Sequence, residues 1–439
     1  MVVSLTTFIA IVAPSPLVGE GSIVFGPLLA GEGLLLFLAR LARYQLVVVL
    51  RSITMANKRR PEVRENDLHG FKYFDRVLPL LERLHFVGTE RDKAGNRELF
   101  FDQYASLLLL YFFNPIVSSL RGIQQASTLD KVQKLLGVRR VSLGSLSEAT
   151  GVFHAEPLRE IVQELSERAV PLQHGRDAEA LRGLSAVDGS LLPALPRMVW
   201  ALWEDDRHHA AKLHLQFDVL KGVPSDATLT AGASSEPDQL RAMLQPGRLY
   251  VIDRGYASFQ LFRDIIDAQS SFVGRVKDNT VFQVAEERSL PTQAQTAGVI
   301  RDVVIARLGT DKHKDFLGRP VRLVSVRRTK LAGTAEDLWL ITNRLDLPAD
   351  LVALAYHYRW SIELFFRWFK CILGCRHLLS ESQNGVAIQS YVALIASLLI
   401  VLWTGCKPTK RTWEMVQFYL IGWASLDELE QHIRNATKS

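Results

Sequence analysis

Between residues 356 and 370 the chain reads Tyr-His-Tyr-Arg-Trp-Ser-Ile-Glu-Leu-Phe-Phe-Arg-Trp-Phe-Lys, with no helix breaker. At about 100° per residue, with Tyr356 at zero, Arg359 falls near 300°, Glu363 near 340° and Lys370 near 320°. The four polar groups therefore share one stripe about 60° wide. Ile362, Leu364, Phe365, Phe366, Trp368 and Phe369 supply the apolar sides that anchor the helix. A carboxylate with an arginine one turn before it and a lysine two turns after it suits two chemistries. One is an ion-pair ladder on an exposed face. The other is a metal ligand, Glu363, with Arg359 and Lys370 about 6 Å and about 10 Å away along the axis to grip flanking phosphates.

Two isolated aspartates add weight to the second. Asp188 follows the apolar run Leu184-Ser-Ala-Val and precedes Gly189-Ser190; Asp253 follows Leu249-Tyr-Val-Ile and precedes Arg254-Gly255. Asp before a turn residue is good turn chemistry by itself, but carboxylates at strand ends of an α/β sheet are where ligands gather. With Glu363 they form three hard oxygen donors of the kind Mg²⁺ or Mn²⁺ prefers. Other acidic or imidazole clusters do not match a ligand spacing. His208, His209 and His214 with Asp205 and Asp206 read as a solvated turn, and Asp218 and Asp226 sit in mid-strand and in a loop. Cys371, Cys375 and Cys406, an odd count with no C-x-x-C pair, argue against a disulfide framework or a zinc site and make a reducing cytoplasm the default.

The elements that must carry these residues are legible in outline. A chain of 439 residues, 48% hydrophobic and 22% charged, holds two to four folding units at roughly 150 residues each. Residues 55–175 read as a helical domain. Phe71, Phe74, Val77, Leu78 and Leu81 mark one helix face, and a buried helix over Phe100–Phe113 stops at Asn114-Pro115. Two short helices around Gly137–Arg140 fit either a helix-turn-helix with Arg139 and Arg140 toward nucleic acid or a plain packed pair. From about residue 180 short apolar runs between turn residues predict strands, then alternating helix and strand, hence a mixed α/β sheet. Over 270–345, 13 Lys+Arg against 8 Asp+Glu leave +5 of the chain's +6. A basic, strand-rich insertion, 277–345, is a surface for a phosphate backbone. Tyr391–Trp403 is an apolar run too short to span a bilayer and reads as a buried helix; 406–439 reads as a helical tail.

Residues 1–54 differ from all of this. Their only charges are Glu20, Glu32, Arg40, Arg43 and Arg51, and Pro16–Gly21 is echoed by Pro27–Gly33. No basic n-region precedes the apolar stretches, unlike a signal peptide. Met55-Ala-Asn-Lys-Arg-Arg60 opens ordinary composition, so the expectation is a natural start at Met55, with the preceding segment a non-native or weakly ordered extension.

The spacing Y-x2-R-x3-E-x6-K at Tyr356, Arg359, Glu363 and Lys370, preceded by the D-G-S block at Asp188 and the D-R-G-Y block at Asp253, resembles the DDE transposases of bacterial insertion sequences that carry the Tyr-Arg-Glu-Lys signature. The resemblance covers 180–405. It implies an RNase H-like catalytic core with a β-rich insertion, preceded by a helical DNA-binding domain over 55–175. It further implies Asp188, Asp253 and Glu363 as ligands of Mg²⁺ or Mn²⁺, and Tyr356, Arg359 and Lys370 as contacts to DNA strands at the cleavage point. Trp339 stands where such enzymes place a tryptophan that stacks on a flipped base, although a strand tryptophan also serves as core. The implied activity is cut-and-paste transposition: hydrolysis at the element's ends, then strand transfer into target DNA by a nucleoid-associated cytoplasmic homodimer on paired terminal inverted repeats. A catalytically inactive end-binding regulator and a stand-alone RNase H-like nuclease are the competing readings.

Overall fold

A computed structural model describes residues 77–87, 96–195, 197–201, 203, 209–309, 317–329, 335–371, 374 and 377–436. The expectations for 1–54, Phe71, Phe74, Asp205, Asp206, His208 and Cys375 lie outside them.

The helical part comprises α1 (Leu78–Glu82), α2 (Phe101–Phe113), α3 (Leu120–Ala126), α4 (Asp130–Leu136), α5 (Leu143–Val152), α6 (Glu156–Arg168) and α7 (Arg176–Ala180). Strands β1 (Leu184–Pro193), β2 (Ala210–Asp218) and β3 (Val223–Ala231) follow, then α8 (Glu236–Ala242), β4 (Leu249–Ile252), α9 (Phe259–Asp267) and β5 (Ser271–Arg275). The insertion contributes β6 (Phe282–Glu287), α10 (Thr292–Thr296), β7 (Val299–Leu308), β8 (Val321–Thr329) and β9 (Ala335–Thr342). The chain closes with α11 (Ala349–Tyr358), α12 (Trp360–Cys371), α13 (Gln383–Thr404), α14 (Lys410–Leu420) and α15 (Leu426–Ala436).

The nine strands form one sheet in the order β3-β2-β1-β4-β5-β9-β8-β7-β6. β1, β2 and β3 pair antiparallel, whereas β1, β4 and β5 pair parallel. Three antiparallel strands followed by two parallel ones joined through helices, in the order 3-2-1-4-5, make this an RNase H-like core. The insertion is not a separate body. β9 pairs with β5, and β8, β7 and β6 extend the same sheet as an antiparallel meander.

Two strands escape the sequence pattern because they are edges. β3 carries Pro224, Ser225 and Asp226, which read as a loop in the sequence; a proline is tolerated at an edge, where its missing donor costs nothing. Asp226 is instead buried in β3 and held by Arg159 of α6 at 2.7 and 2.9 Å. β6, at the other edge, is mostly exposed and ends in Glu286-Glu287, charges that blunt edge-to-edge pairing. Conversely, the apolar run from Met198 forms only a 3-10 turn, Val199–Ala201.

One sheet face and the helical part share a single hydrophobic core, and a second core lies on the other face under α8 and α9. α13 runs through the first core. Ser382 caps its start by accepting the Gly385 N–H, and Gly405 ends it in the left-handed region at φ 65°, where glycine is the residue of choice. It is long and apolar enough to cross a membrane, yet 94% of its apolar window is buried inside the fold.

Candidate active site

The parallel pairing of β1 with β4 runs from Leu184↔Leu249 to Ala186↔Val251 and then stops, because β4 is only four residues long. Asp188 lies two residues past the last of these pairs on β1, and Asp253 follows directly on the end of β4, so both carboxylates leave neighbouring strands where the pairing ends. Ala186 and Val251 both belong to the first core, and the alternation of a strand puts Asp188 and Asp253 on that same face. Asp188 is therefore not at the end of its strand, as its Gly-Ser sequel suggests. β1 continues to Pro193, paired with β2 on its other side through Asp188↔Leu215, and only the β4 edge is vacated. Asp253 caps a 3-10 turn, Arg254–Tyr256, by accepting the N–H groups of Gly255 at 2.8 Å and Tyr256 at 3.3 Å.

Glu363 arrives from the helical signature. The expectation of one unbroken helix needs correction: α11 ends at Tyr358 and α12 starts at Trp360. Arg359 between them keeps right-handed helical angles, φ −52° and ψ −34°. Its N–H donates three residues back to the Tyr356 carbonyl at 3.1 Å, and Ile362 N–H does the same to Arg359 at 3.3 Å. The helix is thus tightened by one 3-10 turn rather than stopped. Ile362, Phe365, Phe366 and Phe369 bury α12 in the first core, which turns Glu363 and Lys370 toward Asp188 in a cleft of about 300 Å³. A second cleft, about 540 Å³, holds Asp253 with Tyr356 and Arg359.

Arg359 links the acids. Its guanidinium donates to the Glu363 carboxylate and lies 4.0 Å from the nearer Asp188 oxygen. Burial works against that charge, but Glu363, Tyr356 and Asp188 together hold the guanidinium protonated beyond its usual range. Asp188 is pushed up to about 6: burial is the largest cause, the Gly189 N–H and Arg359 pull the other way, and Asp253 and Glu236 add repulsion. Tyr356 is raised by burial, against the opposing charges of Arg359 and Arg275.

These donors fit a hard divalent cation in kind, and a buried carboxyl crowded by others gains from one. They are not closed into a ligand set, since among the described residues no three His, Cys, Asp or Glu side chains stand close enough to hold a metal. The Arg359 guanidinium supplies positive charge at the acids in this arrangement.

The crowding has a measurable consequence. The folded-state value of Asp188, about 6, exceeds the ordinary 3.8, so between these values the folded state binds more protons than the unfolded chain. Stability is then lost as pH rises through that window. Asp188→Asn is expected to raise the metal-free melting temperature at pH 7–8, by on the order of 1–3 kcal/mol in stability, with the gain vanishing below about pH 4. Melts of both proteins across pH check this; a variant less stable at pH 8 overturns it.

Trp339 is not brought to the acids. On β9 it alternates with Leu338 and Leu340, which line the cleft side, and instead joins the second core, edge-to-face with Phe282 at 5.6 Å. Sequence reasoning missed Trp360, 51% exposed. It lines a cavity of about 950 Å³ between α11 and the insertion, with Arg275, Arg327, Arg328, Tyr356 and Arg359. The signal was an aromatic residue inside the signature itself. Arg139 and Arg140 are exposed in the turn between α4 and α5, whose inner residues Val132, Leu136, Leu146 and Ala149 join the first core.

A family model described as the transposase DDE domain matches residues 179–399, half of the chain. The chain is 28% identical over 229 residues to a protein of Sinorhizobium fredii described as a transposase, covering 52% of this chain and 62% of that one. It is 26% identical over 216 residues to a protein of Geobacillus stearothermophilus described as a transposase for an insertion sequence element, covering 49% and 55%. It thus spans about three fifths of the length of these relatives. A solved structure of a piggyBac transposase synaptic complex with hairpin DNA aligns with 84% of this chain and 85% of that one at TM-score 0.43 and 11% identity.

Proposed function

We propose, from the premise that this chain belongs to the transposase DDE domain family, that it cuts and joins DNA at the ends of an insertion sequence by metal-dependent cut-and-paste transposition. The observation that supports this reading is Arg359, which donates to Glu363 and lies 4.0 Å from Asp188, with Asp253 directly following β4, the strand paired with β1. Asp188, Asp253 and Glu363 would hold Mg²⁺ or Mn²⁺. Divalent ions held there would supply activation of the attacking oxygen and stabilisation of the leaving one in an in-line displacement.

The chain's own residues do the rest. Arg359, half-buried between Tyr356 and Glu363, is placed to exchange its carboxylate partners for a phosphate, a bidentate match for a guanidinium. Lys370 stands two turns along α12 in the Glu363 cleft, where a second phosphate of the same strand would reach. The flat face of Trp360 beside Arg275 and Arg328 offers an unstacked base a platform with its phosphates at the rim. That is a better place for such contact than Trp339. The helical part around Arg139 and Arg140 is the candidate grip on terminal repeats, and cutting two ends in concert calls for a homodimer on DNA, in the nucleoid.

The test is the full chain with linear DNA carrying both element ends and Mg²⁺. Cleavage at the ends followed by joining to a target is the expected result. Binding without cleavage would instead make the protein an end-binding regulator, and cutting indifferent to end sequence would make it a general nuclease.

A further inference from the structure

The three acids of the site are split between two clefts, and Arg359 touches both. Asp188 and Glu363 line the cleft that also holds Lys370, whereas Asp253 lines the cleft of Tyr356 and Arg254. Arg359 belongs to the wall of the second. From there its terminal nitrogens reach the acids of the first: Nη2 donates to the Glu363 carboxylate, and Nη1 lies 4.0 Å from Asp188 Oδ2. Only 16% of the arginine side chain is exposed, so water screens its charge little. A divalent cation sharing these oxygens would meet the guanidinium at close range and be repelled by it. Arginine cannot relieve this by losing its proton. It has to move.

The backbone under Arg359 permits a movement. It is the joint between α11 and α12, where the bonds from Arg359 N–H to Tyr356 and from Ile362 N–H to Arg359, at 3.1 and 3.3 Å, span three residues instead of four. A short 3-10 stretch inside a longer helix is a common place for a hinge. The second cleft offers a destination, because Arg254 and Arg275 line it as well. Arg275 gives Nη2 to Glu336 at 2.8 Å, while its Nε is buried with no hydrogen-bond partner among the described residues. Three arginines there, against Asp253 and Glu336, leave a net positive charge suited to a phosphate.

We propose that Arg359 is an internal counter-ion that competes with the divalent cation for Glu363, and that a DNA phosphate in the Asp253 cleft draws the guanidinium off the carboxylate. DNA and metal then help one another to bind, and the acids take their cation tightly only once DNA is in place. A protein able to cut phosphodiesters is thereby kept unloaded until its substrate arrives. The inference rests on the metal-dependent reading above and adds to it the order in which the site is filled. The two clefts, otherwise separate, are joined through this one side chain.

The test reads Mn²⁺ binding by electron paramagnetic resonance on the full chain, with and without a pre-cleaved element end, on which no hydrolysis remains to be done. In the wild type the DNA is expected to tighten Mn²⁺ by about 10-fold or more, an ordinary size for coupling between two sites. Arg359→Gln is expected to bind Mn²⁺ tighter than the wild type by about the same factor without DNA, and to gain less from the DNA. Lys370→Gln removes an equal charge from the Glu363 cleft and should shift Mn²⁺ affinity less. Arg359→Lys keeps the charge for the fold but cannot span Glu363 and Asp188; it should fall between wild type and Arg359→Gln, and replaces the latter if that chain does not fold. Without metal Arg359→Gln should melt lower, and Mn²⁺ should raise its melting temperature by more than that of the wild type, which separates unmasked acids from a damaged site. Wild-type or weaker affinity in the Arg359 variants, or an equal shift in Lys370→Gln, overturns the counter-ion role alone. Wild-type affinity in Asp188→Asn overturns instead the three-acid metal site on which it rests.

Discussion

Asp188→Asn, Asp253→Asn and Glu363→Gln are each expected to lower end cleavage by about 1000-fold or more, equivalent to roughly 4 kcal/mol of transition-state stabilisation, while end binding without metal persists. The amides keep the shape and the accepting oxygen that the fold uses. In Asp188→Asn the amide oxygen can still accept the Gly189 N–H, now 2.8 Å from the carboxylate, and in Asp253→Asn it can still cap the Arg254–Tyr256 turn. What is lost is negative charge, the property that a hard cation selects. Single-turnover cleavage of a labelled end in Mg²⁺ measures the loss, and a variant within about tenfold of wild type removes that residue from the role. The Asp188→Asn protein carries its own control. A loss of activity through unfolding would lower its melting temperature, whereas relief of buried charge at pH 8 raises it. Opposite movements of stability and activity at one side chain mark a site held in tension for its chemistry.

The sequence carried the site further than it carried the sheet. Tyr356, Arg359, Glu363 and Lys370 lie within fifteen residues, so helical periodicity alone sets them on one side, and the small tightening at Arg359 does not undo this. Asp188 and Asp253 are far apart in the chain, and what brings their strands side by side is the parallel pairing of β1 with β4, a property that no local pattern contains. Trp360 was invisible for a related reason, because it lines a cavity walled by the insertion. Strands with apolar runs, such as β4, β5 and β8, were legible because both faces are buried. β3 and β6 were not, because edge strands trade apolar residues for proline and charge. Trp339 was read from its place in the chain, but alternation along β9 turns it to the face away from the acids.

The second large effect is expected far from any acid of the site. Arg322 of β8 and Asp302 of β7 form a two-pronged pair, 2.7 Å from Nε and 2.6 Å from Nη2, with both side chains under 5% exposed. The remaining nitrogen, Nη1, donates to the Leu347 carbonyl, in the turn that leads into α11. Arg288 adds a bond to the Leu345 carbonyl at 2.8 Å. The insertion is therefore stapled, by buried charge, to the start of the helix whose other end presents Tyr356 and Arg359. Asp302→Ala strands a guanidinium in the core, and Arg322→Met strands a carboxylate; each is expected to cost about 3–5 kcal/mol. The double variant should cost distinctly less than the sum, because neither charge is left alone. Denaturant unfolding of the four proteins gives the cycle, and single losses under about 1 kcal/mol would show the pair to be no better than a surface one. Arg327 of β8 and Asp337 of β9, a similar fork at 2.9 and 3.0 Å on an exposed stretch of the meander, provide the comparison: their removal should leave stability unchanged, since water already screens them. If the staple also sets the angle of α11, the single Arg322 and Asp302 variants will lose end cleavage at temperatures where they remain folded. The site would then depend on the insertion for alignment as well as for DNA contact.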